Sequence, residues 1–254
     1  MTLRCHFAFA DWQDAAHVHE GSLRAVNLLS LPSGERYQIG PESNVEILTW
    51  VERGSLTARI DDFSSENLKP GDLHLASTGQ GCASLDWSAE QGAADCLQFW
   101  LLPDQNNSEP TQEVRRAFPE TQDGAFRILA SGFPEDDPEE GETVADGSPI
   151  ALQTRARLLR ATLPTNEGAI YQTTPGRDLY LIVVSGHVTI NNTVLLQRDA
   201  AAFENYPFQD LRVVVHVIFD KGLNEPVGMI ISGMTAQRQF LSYALCCFFQ
   251  MPGL

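Results

Sequence analysis

Basic residues, long apolar runs and paired cysteines are all scarce in this sequence, and each scarcity argues against a class of protein. The 254 residues include 17 Lys and Arg against 33 Asp and Glu, which gives a formal net charge of −16. Such a charge repels phosphate backbones, so we expect no direct nucleic-acid binding. No apolar run approaches the roughly 20 residues of a membrane span, and no secretory signal is recognisable. We therefore expect no membrane association and a cytoplasmic location.

The cysteines form no recognisable framework. Their number, five, is odd, and none of them forms the C-x-x-C pair that is typical of zinc sites. We therefore predict free thiols in a reducing compartment. Cys96, Cys246 and Cys247 lie in apolar runs and are predicted core residues. Cys82 stands beside glycines, and an exposed, oxidisable thiol with a redox role is an alternative for it.

The common catalytic signatures are missing too. The sequence has no G-x-S-x-G elbow, no P-loop, no G-x-G-x-x-G after a strand and no H-E-x-x-H. His17 and His19 could chelate a metal from a strand, but no third ligand follows at a useful spacing, so we interpret them as loop residues. His187 stands alone beside a glycine and is predicted to be structural or exposed.

Short apolar segments separated by Gly, Pro, Asn and Asp dominate the chain, and they predict antiparallel strands. The stretch from Val45 to Asp86 shows the pattern clearly, with Gly54 between two apolar runs and Pro70-Gly71-Asp72 as a turn. In such a turn Pro fixes φ and Gly supplies a positive φ. This order of strand, Gly, strand, Pro-Gly-Asp and strand is typical of the small β-barrel called a cupin.

The same pattern returns in the second half of the chain, where Gly186 corresponds to Gly54 and Arg198-Asp199 corresponds to Gly71-Asp72. This internal repeat predicts an all-β bicupin, two stacked antiparallel β-barrels of the double-stranded β-helix type. We assign residues 1–104 to an N-terminal barrel, 105–150 to an inter-domain linker with an acidic loop, and 151–254 to a C-terminal barrel with a terminal helix.

The terminal helix is predicted from Thr235, a suitable N-cap, and from apolar residues with helical spacing. These apolar residues are Phe240, Leu241, Ala244, Leu245, Phe248 and Phe249.

Two motifs and one strand resemble the pirin family of bicupins. Residues 40–44, Gly-Pro-Glu-Ser-Asn, stand where pirins have Pro-His-Pro-His-Arg, and residues 77–86 stand where pirins have Thr-Ala-Gly-x-Gly-x-x-His-Ser-Glu. Residues 97–103 resemble the family's Leu-Gln-Leu-Trp-Val-x-Leu-Pro. The matching scaffold residues are Pro41, Glu46, Gly54, Gly71, Asp72, Gly79 and Gly81.

The resemblance implies an iron site in the N-terminal barrel, held by three histidines and one glutamate. It also implies quercetin-type dioxygenase activity in some members and transcriptional co-regulation through protein partners in others. At the four equivalent positions this sequence has Gly40, Glu42, Ser84 and Asp86. Imidazole suits iron, whereas Gly offers no side chain and Ser is a poor ligand. We therefore expect no metal and no cofactor, and a non-enzymatic binding or regulatory protein.

The candidate ligand-binding residues are Glu42, His74, Cys82, Ser84 and Asp86, and the expected partner is an unidentified small molecule or protein. The alternative is a metal-dependent cupin dioxygenase similar to quercetin 2,3-dioxygenase. In that case Glu42 and Asp86, together with a residue such as His74, would hold a divalent ion in an oxygen-rich site in the N-terminal barrel. Whether the chain is an enzyme stays open on the sequence.

Overall fold

The computed structural model describes residues 1–7, 21–117, 125–164, 167–173, 177–190, 193–203, 211–217, 227–234 and 247–249. The regular structure is β apart from two short 3-10 helices, Pro134–Asp136 and Val144–Asp146, within those ranges. The first eleven strands are β1 (Thr2–Cys5), β2 (Leu23–Leu31), β3 (Arg36–Ile39), β4 (Glu46–Arg53), β5 (Leu56–Ile60), β6 (Glu66–Leu68), β7 (Leu73–Ser77), β8 (Leu85–Ser88), β9 (Ala94–Leu101), β10 (Thr111–Arg115) and β11 (Arg127–Ser131). The other ten are β12 (Ile150–Ala151), β13 (Ala156–Thr162), β14 (Gly168–Thr173), β15 (Arg177–Ser185), β16 (His187–Ile190), β17 (Thr193–Leu196), β18 (Ala200–Phe203), β19 (Leu211–Val217), β20 (Val227–Met234) and β21 (Cys247–Phe249).

Each half of the chain pairs a large sheet with a four-stranded sheet, as the bicupin prediction requires. In the N-terminal half the orders are β10-β7-β4-β9-β2-β1-β21 and β3-β8-β5-β6. In the C-terminal half they are β12-β11-β13-β20-β15-β18 and β14-β19-β16-β17. We call these halves the N-terminal and C-terminal barrels. Nearly all pairings are antiparallel, because hairpins and meanders connect the strands; β11 with β12 is parallel.

Three buried apolar clusters follow from the alternation of side chains along the strands. On β4, Ile47 and Val51 point into the N-terminal barrel, whereas Leu48 and Trp50 point toward the C-terminal barrel. Successive strand residues face opposite sides of a sheet, so one strand serves both cores. The cluster that contains Ile47 and Val51 fills the N-terminal barrel. The cluster that contains Leu48 and Trp50 lies between the barrels, and a third cluster fills the C-terminal barrel.

The corner turn of the repeat is built in the same way in both barrels. In the first, the Gly71 N–H donates to Val51 O at 2.8 Å and the Val51 N–H donates to Asp72 O at 3.1 Å. In the second, the Arg198 N–H donates to Val183 O at 2.7 Å and the Val183 N–H donates to Asp199 O at 2.9 Å. The equivalence of Gly71-Asp72 and Arg198-Asp199 is therefore confirmed at the level of individual hydrogen bonds.

Glu46 ties the two barrels together. Its carboxylate is 1% exposed and accepts the N–H groups of Gln153 and Thr154 at 2.9 and 3.0 Å and the Thr154 hydroxyl at 2.6 Å. Burial raises the pKa of Glu46, and these hydrogen bonds oppose the rise. A buried carboxylate is tolerated when its oxygens are satisfied in this way.

Further contacts cross the same interface. His6 Nδ1 lies 2.6 Å from the Tyr180 hydroxyl, and the Arg160 guanidinium lies 5.2 Å from the centre of the Trp50 ring.

Two predicted segments differ from the structure. The stretch 105–150, predicted as a linker, contributes β10 to the N-terminal barrel and β11 and β12 to the C-terminal barrel. The end of the predicted terminal helix is wrong, because Cys247–Phe249 forms a strand that pairs with β1. Long-range pairing overrides the local helical spacing there. Thr235 and the rest of that helix, to residue 246, lie outside the described residues, as do His17 and His19.

Within the described ranges, no helix has the length and apolar character that crossing a bilayer requires.

Candidate functional site

The two segments that the sequence analysis assigned to the site do lie side by side. The Glu42 N–H donates to Cys82 O at 3.0 Å, and the Cys82 N–H donates to Glu42 O at 2.8 Å. One step further, the Asn44 N–H donates to Gly79 O at 2.8 Å, and the Val45 N–H donates to the Thr78 hydroxyl oxygen at 3.0 Å. The predicted neighbourhood of the segments 40–44 and 77–86 is thus confirmed, because a short antiparallel ladder joins them.

Gly40 occupies a position where no other residue fits. Its φ is +129°, and a Cβ added there would lie 2.4 Å from Ala83 O and 3.0 Å from Ser84 Cα. Real Cβ atoms do not approach backbone atoms so closely, and a positive φ of this size is essentially restricted to glycine. The backbone of residues 83–84 therefore fills the space that a side chain at this position would need.

Glu42 is half-buried beside the interior of the N-terminal barrel. Burial raises the pKa of its carboxyl, and the nearby Arg24 opposes that rise. Tyr37 is buried, and its pKa is raised by burial first and then by the neighbouring Cys5 and Glu42. Glu42 thus lies near Tyr37 and Cys82, and Asp61 is a second carboxylate near Cys82.

Asp86 faces away from the barrel interior. Its strand neighbours Leu85 and Trp87 both belong to the interior cluster, so Asp86 points to the opposite face of the sheet. There its carboxylate accepts a hydrogen bond from Arg36 and lies 3.6 Å from Arg59. The interaction with Asp86 raises the pKa of Arg36. Asp86 is therefore already paired with two cations and does not converge with Glu42.

Ser84 is held at the bend by its backbone. Its N–H donates to Asp61 Oδ1 at 2.7 Å, and its carbonyl accepts the Asp61 N–H at 2.9 Å. These bonds fix the chain beside Gly40, which is why the close approach described above persists.

Cys82 is a buried core residue. Its side chain is 4% exposed, and burial raises its pKa to about 11. A thiol of that pKa is protonated at neutral pH, whereas oxidation proceeds through the thiolate. The exposed, oxidisable thiol considered for Cys82 is therefore contradicted. Cys5 and Cys96 are likewise buried free thiols.

His74 lies inside the N-terminal barrel on β7, three residues before Ser77. Three strand residues span about 10 Å, so His74 lies well below the level at which the two site segments meet. It is 1% exposed, and burial lowers its pKa to about 4, while Gln112 raises it and Arg116 lowers it further. The imidazole is therefore neutral at physiological pH.

His74 is one of four buried polar residues that share a row across the N-terminal barrel. In the strand register Asn27 pairs with Gln98, Gln98 with Thr49, and Thr49 with His74. All four lie on the face that points into the barrel, since their neighbours two residues away belong to the interior cluster. We call Asn27, Gln98, Thr49 and His74 the polar belt.

Within the described part of the chain, the polar side-chain atoms of the polar belt lack hydrogen-bond partners of good geometry, although Gln112 lies near His74. The buried atoms without a partner of good hydrogen-bond geometry are both amide atoms of Asn27 and of Gln98, the Thr49 hydroxyl and both ring nitrogens of His74. Sequence reasoning named only His74. The available signal was a polar residue in the middle of each of four apolar strand segments.

The residues at the four family-equivalent positions do not fit an iron site. Gly40 has no side chain and no room for one, Asp86 is turned outward into an ion pair, and His74 lies at another level of the barrel. Among the described residues, no group of three His, Cys, Asp or Glu side chains is arranged to hold a metal ion. Imidazole ligands, which iron prefers, are thus not brought together there.

Comparison with known proteins gives consistent matches over most of the chain. A family model described as the quercetinase C-terminal cupin domain matches residues 143–212. A pirin-like protein of Caulobacter vibrioides is 30% identical over 201 residues, which cover 79% of this chain and 82% of that protein. A putative quercetin 2,3-dioxygenase of Pseudomonas aeruginosa is 28% identical over 208 residues, 82% of this chain and 85% of the relative.

Among solved structures, the bacterial pirin YhhW of Escherichia coli in complex with nickel(II) superimposes with a TM-score of 0.75. The match covers 92% of this chain and 93% of YhhW at 22% sequence identity. At that identity the match establishes the shared fold.

Proposed function

This chain belongs to the pirin family of cupins, and from that premise we propose that it is a non-enzymatic binding protein whose N-terminal metal site has been lost. The proposal rests on one observation: two of the four family-equivalent positions, 40 and 86, already make other structural contacts. The backbone of residues 83–84 occupies the space beside Gly40, and two arginines neutralise Asp86. Positions 40 and 86 thus have other structural tasks, so at these two positions the loss of the ligands involves the surrounding fold as well as the side chain.

The strongly acidic surface and the free thiols support the rest of the expectation. A net charge of −16 disfavours nucleic acid as a direct partner, so a small molecule or a protein is the partner we propose. Three described cysteines are buried and unbridged, which suits the reducing cytoplasm. A regulatory role through such a partner is part of this proposal.

Metal analysis of the protein purified without chelator tests the proposal. We expect less than about one metal ion in ten chains after supplementation with iron(II) or nickel(II), because the imidazole donors are missing. The Escherichia coli pirin, prepared in parallel with nickel(II), is the positive control. Oxygen uptake with quercetin should stay at the background rate. Stoichiometric iron or nickel, together with quercetin-dependent oxygen uptake, would establish the oxygenase alternative instead.

A variant that restores the family residues tests the structural reason. The change Glu42→His with Ser84→His supplies two imidazoles, and Gly40→His adds the third. We expect the triple variant to bind nickel no better than the double variant, because a side chain at position 40 meets Ala83 O at 2.4 Å. Tight nickel binding that appears only in the triple variant would contradict the argument from Gly40.

A further inference from the structure

A cavity of about 220 Å³ lies where the first strands of the N-terminal barrel face the C-terminal barrel. Its floor is the outer face of the neighbouring strands β1, β2 and β9, since Leu28 on that face belongs to the cluster between the barrels. Arg198, in the corner turn of the C-terminal barrel, forms part of the wall. Drug-sized sites measure roughly 300–1,000 Å³, so this inter-barrel cavity suits a smaller molecule.

Charged groups of opposite sign line the two sides of this floor. Arg4 stands on β1 and Asp95 on β9, and β2 lies between these strands in the sheet. Neighbouring strands lie about 4.8 Å apart, so the backbones of β1 and β9 are about 10 Å apart. Thr2 pairs with Ser30 and Ser30 pairs with Asp95, so two hydroxyl groups share the row of the carboxylate. The floor thus presents a cation, hydroxyl groups and an anion.

A second guanidinium reaches the same cavity from the other barrel. Arg198 forms an ion pair with Glu52, and both side chains are largely buried. Burial lowers the pKa of the nearby His6 to about 4, and Arg4 and Arg198 lower it further. The two guanidiniums therefore act on the same place, one from each barrel, beside a ring that is neutral at physiological pH.

Arg198 is held in an unfavourable backbone conformation. Its φ is +74°, at the turn position where the N-terminal barrel has Gly71 at +89°. Such an angle is uncommon for an arginine, because its Cβ crowds the neighbouring backbone. Residues in sparsely populated conformations cluster at sites that bind ligands. The ion pair with Glu52 gives the Arg198 side chain one task, and its place on the cavity wall points to a second.

The charges on the described part of the cavity wall balance, with Arg4 and Arg198 against Glu52 and Asp95. Asp95 is also paired with Arg53, but that guanidinium is 79% exposed, and an exposed pair contributes little. Asp95 can therefore bind a second cation. A free anion would be repelled by the net charge of −16, whereas a molecule that carries both charges would not.

We propose that the inter-barrel cavity binds a small zwitterion of the amino-carboxylic acid class, with its carboxylate at Arg4 and its ammonium at Asp95. A guanidinium holds a carboxylate through parallel N–H donors, which gives this end its direction. The hydroxyl groups of Thr2 and Ser30 lie between the two ends, and Leu28 contacts the methylene groups. The site is separate from the residues that replace the family's metal ligands, so the inference goes beyond the proposed function.

Titration with β-alanine tests the proposal, because this zwitterion carries its ammonium and its carboxylate at opposite ends of two methylene groups. Ligand-observed NMR on the full chain should show saturable binding. Propanoate has the carboxylate without the ammonium, and propylammonium has the ammonium without the carboxylate. We expect each of them to bind at least about tenfold more weakly, because one charged end of the cavity then lacks its partner.

Two substitutions place the site. Asp95→Asn keeps the size of the side chain and removes its charge, so it should weaken β-alanine binding about tenfold or more and leave propanoate binding unchanged. Arg4→Gln should weaken the binding of both compounds, and Asp95→Asn keeps the test usable if Arg4→Gln does not fold. Asp62→Asn changes an exposed carboxylate outside the cavity, and as the matched control it should leave binding unchanged.

The outcomes separate this inference from the proposed function. Equal affinity for the three compounds, no saturable β-alanine binding, or binding that survives both cavity substitutions would overturn the zwitterion site. None of these results would restore a metal site in the N-terminal barrel. Stoichiometric metal with quercetin turnover would overturn the proposed function, whereas β-alanine binding that is lost in Asp95→Asn would still establish the inter-barrel site.

Discussion

The two barrels share one backbone design and differ in what fills them. The turn at Gly71 and the turn at Arg198 make the same hydrogen bonds to the strand before them, and both residues have positive φ, +89° and +74°. The interiors diverge at equivalent places: Thr49 of β4 corresponds to Leu181 of β15 in the strand register. Backbone geometry has thus been kept where the side chains of the interior have changed.

The two interiors differ in how much buried polar surface they contain. The described interior of the C-terminal barrel is apolar, so burial there is favourable at about 25 cal/mol per Å². The N-terminal barrel accepts four buried polar side chains and a bend that is closed against Gly40. The described interior of the C-terminal barrel is thus apolar, whereas the interior of the N-terminal barrel combines an apolar cluster with a row of polar side chains.

The sharpest way to break this comparison is to make the second barrel resemble the first. Leu159→Asn places an amide at the position equivalent to Asn27, where Leu159 is 2% exposed among apolar side chains. We expect the free energy of unfolding to fall by about 4 kcal/mol, because apolar burial is lost and an amide is buried without partners. Urea unfolding measures it. The reverse change, Asn27→Leu, should raise the free energy of unfolding by about 1–3 kcal/mol, because it removes a buried amide without hydrogen-bond partners. Similar losses for the two variants would mean that the interiors are not different in kind.

The interface contact of Glu46 comes next in size. Glu46→Ala removes the acceptor of three hydrogen bonds from Gln153 and Thr154. Thr154 stays fully buried, and its hydroxyl keeps only the bond to Leu102 O at 3.2 Å. We expect a loss of about 3 kcal/mol, since breaking a buried charged contact leaves its partners unsatisfied.

Thermal and urea unfolding should show the Glu46→Ala loss in the cooperative transition of the whole chain, because the bonds join both barrels. Glu66→Ala, which removes a surface pair with Arg116, is the control and should cost less than about 1 kcal/mol. If the two variants unfold alike, Glu46 does not link the barrels.

Acid should weaken the N-terminal barrel in particular, because His74 is there while the equivalent residue in the other barrel is Ala201. The pKa of His74 is about 4 when folded and about 6.5 when unfolded, so the unfolded state binds more protons between these values. Its contribution to the free energy of unfolding is complete above pH 6.5 and is lost as the pH falls toward 4, with a loss of roughly 2–3 kcal/mol by pH 4.5.

His74→Gln should remove that part of the pH dependence and leave the rest, which includes the buried His6, whose pKa is also lowered to about 4. Urea unfolding at pH 7.5 and pH 4.5 measures the difference. An unchanged slope in the variant would show that His74 does not titrate as a buried residue.

The smallest effect is expected at the shared turn. Gly71→Ala puts a Cβ 2.8 Å from Ala117 Cβ at a positive φ, and should cost about 1–2 kcal/mol. Arg198→Gly relieves the positive φ of an arginine but gives up its ion pair with Glu52, so the net change should stay within about 1 kcal/mol. Thermal unfolding compares the two. A larger loss for Arg198→Gly would assign that arginine a role beyond the turn.

Local patterns predicted the repeat because turns are encoded by neighbouring residues. Gly54 and Gly186, with φ of +78° and +72°, and the two Asp-containing turns were placed from spacing alone. The resemblance to the pirin motifs, and not spacing, predicted that residues 40–44 and 77–86 would meet.

Orientation and long-range pairing were harder to predict. Asp86 was aligned with a family ligand, but the strand alternation that turns it outward becomes visible only once Leu85 and Trp87 are known to fill the core. The polar belt depends on the register of four strands that are distant in sequence, which no single segment contains. The strand at Cys247–Phe249 was missed for the same reason.

That last strand has a consequence for how the chain is made. β21 completes the N-terminal sheet beside β1, yet it is synthesised about 130 residues after β10, a delay of about ten seconds at roughly 5–20 residues per second. During translation the outer edge of β1 therefore stays unpaired and can pair with strands of other chains. A chain truncated before β21 would keep this edge exposed.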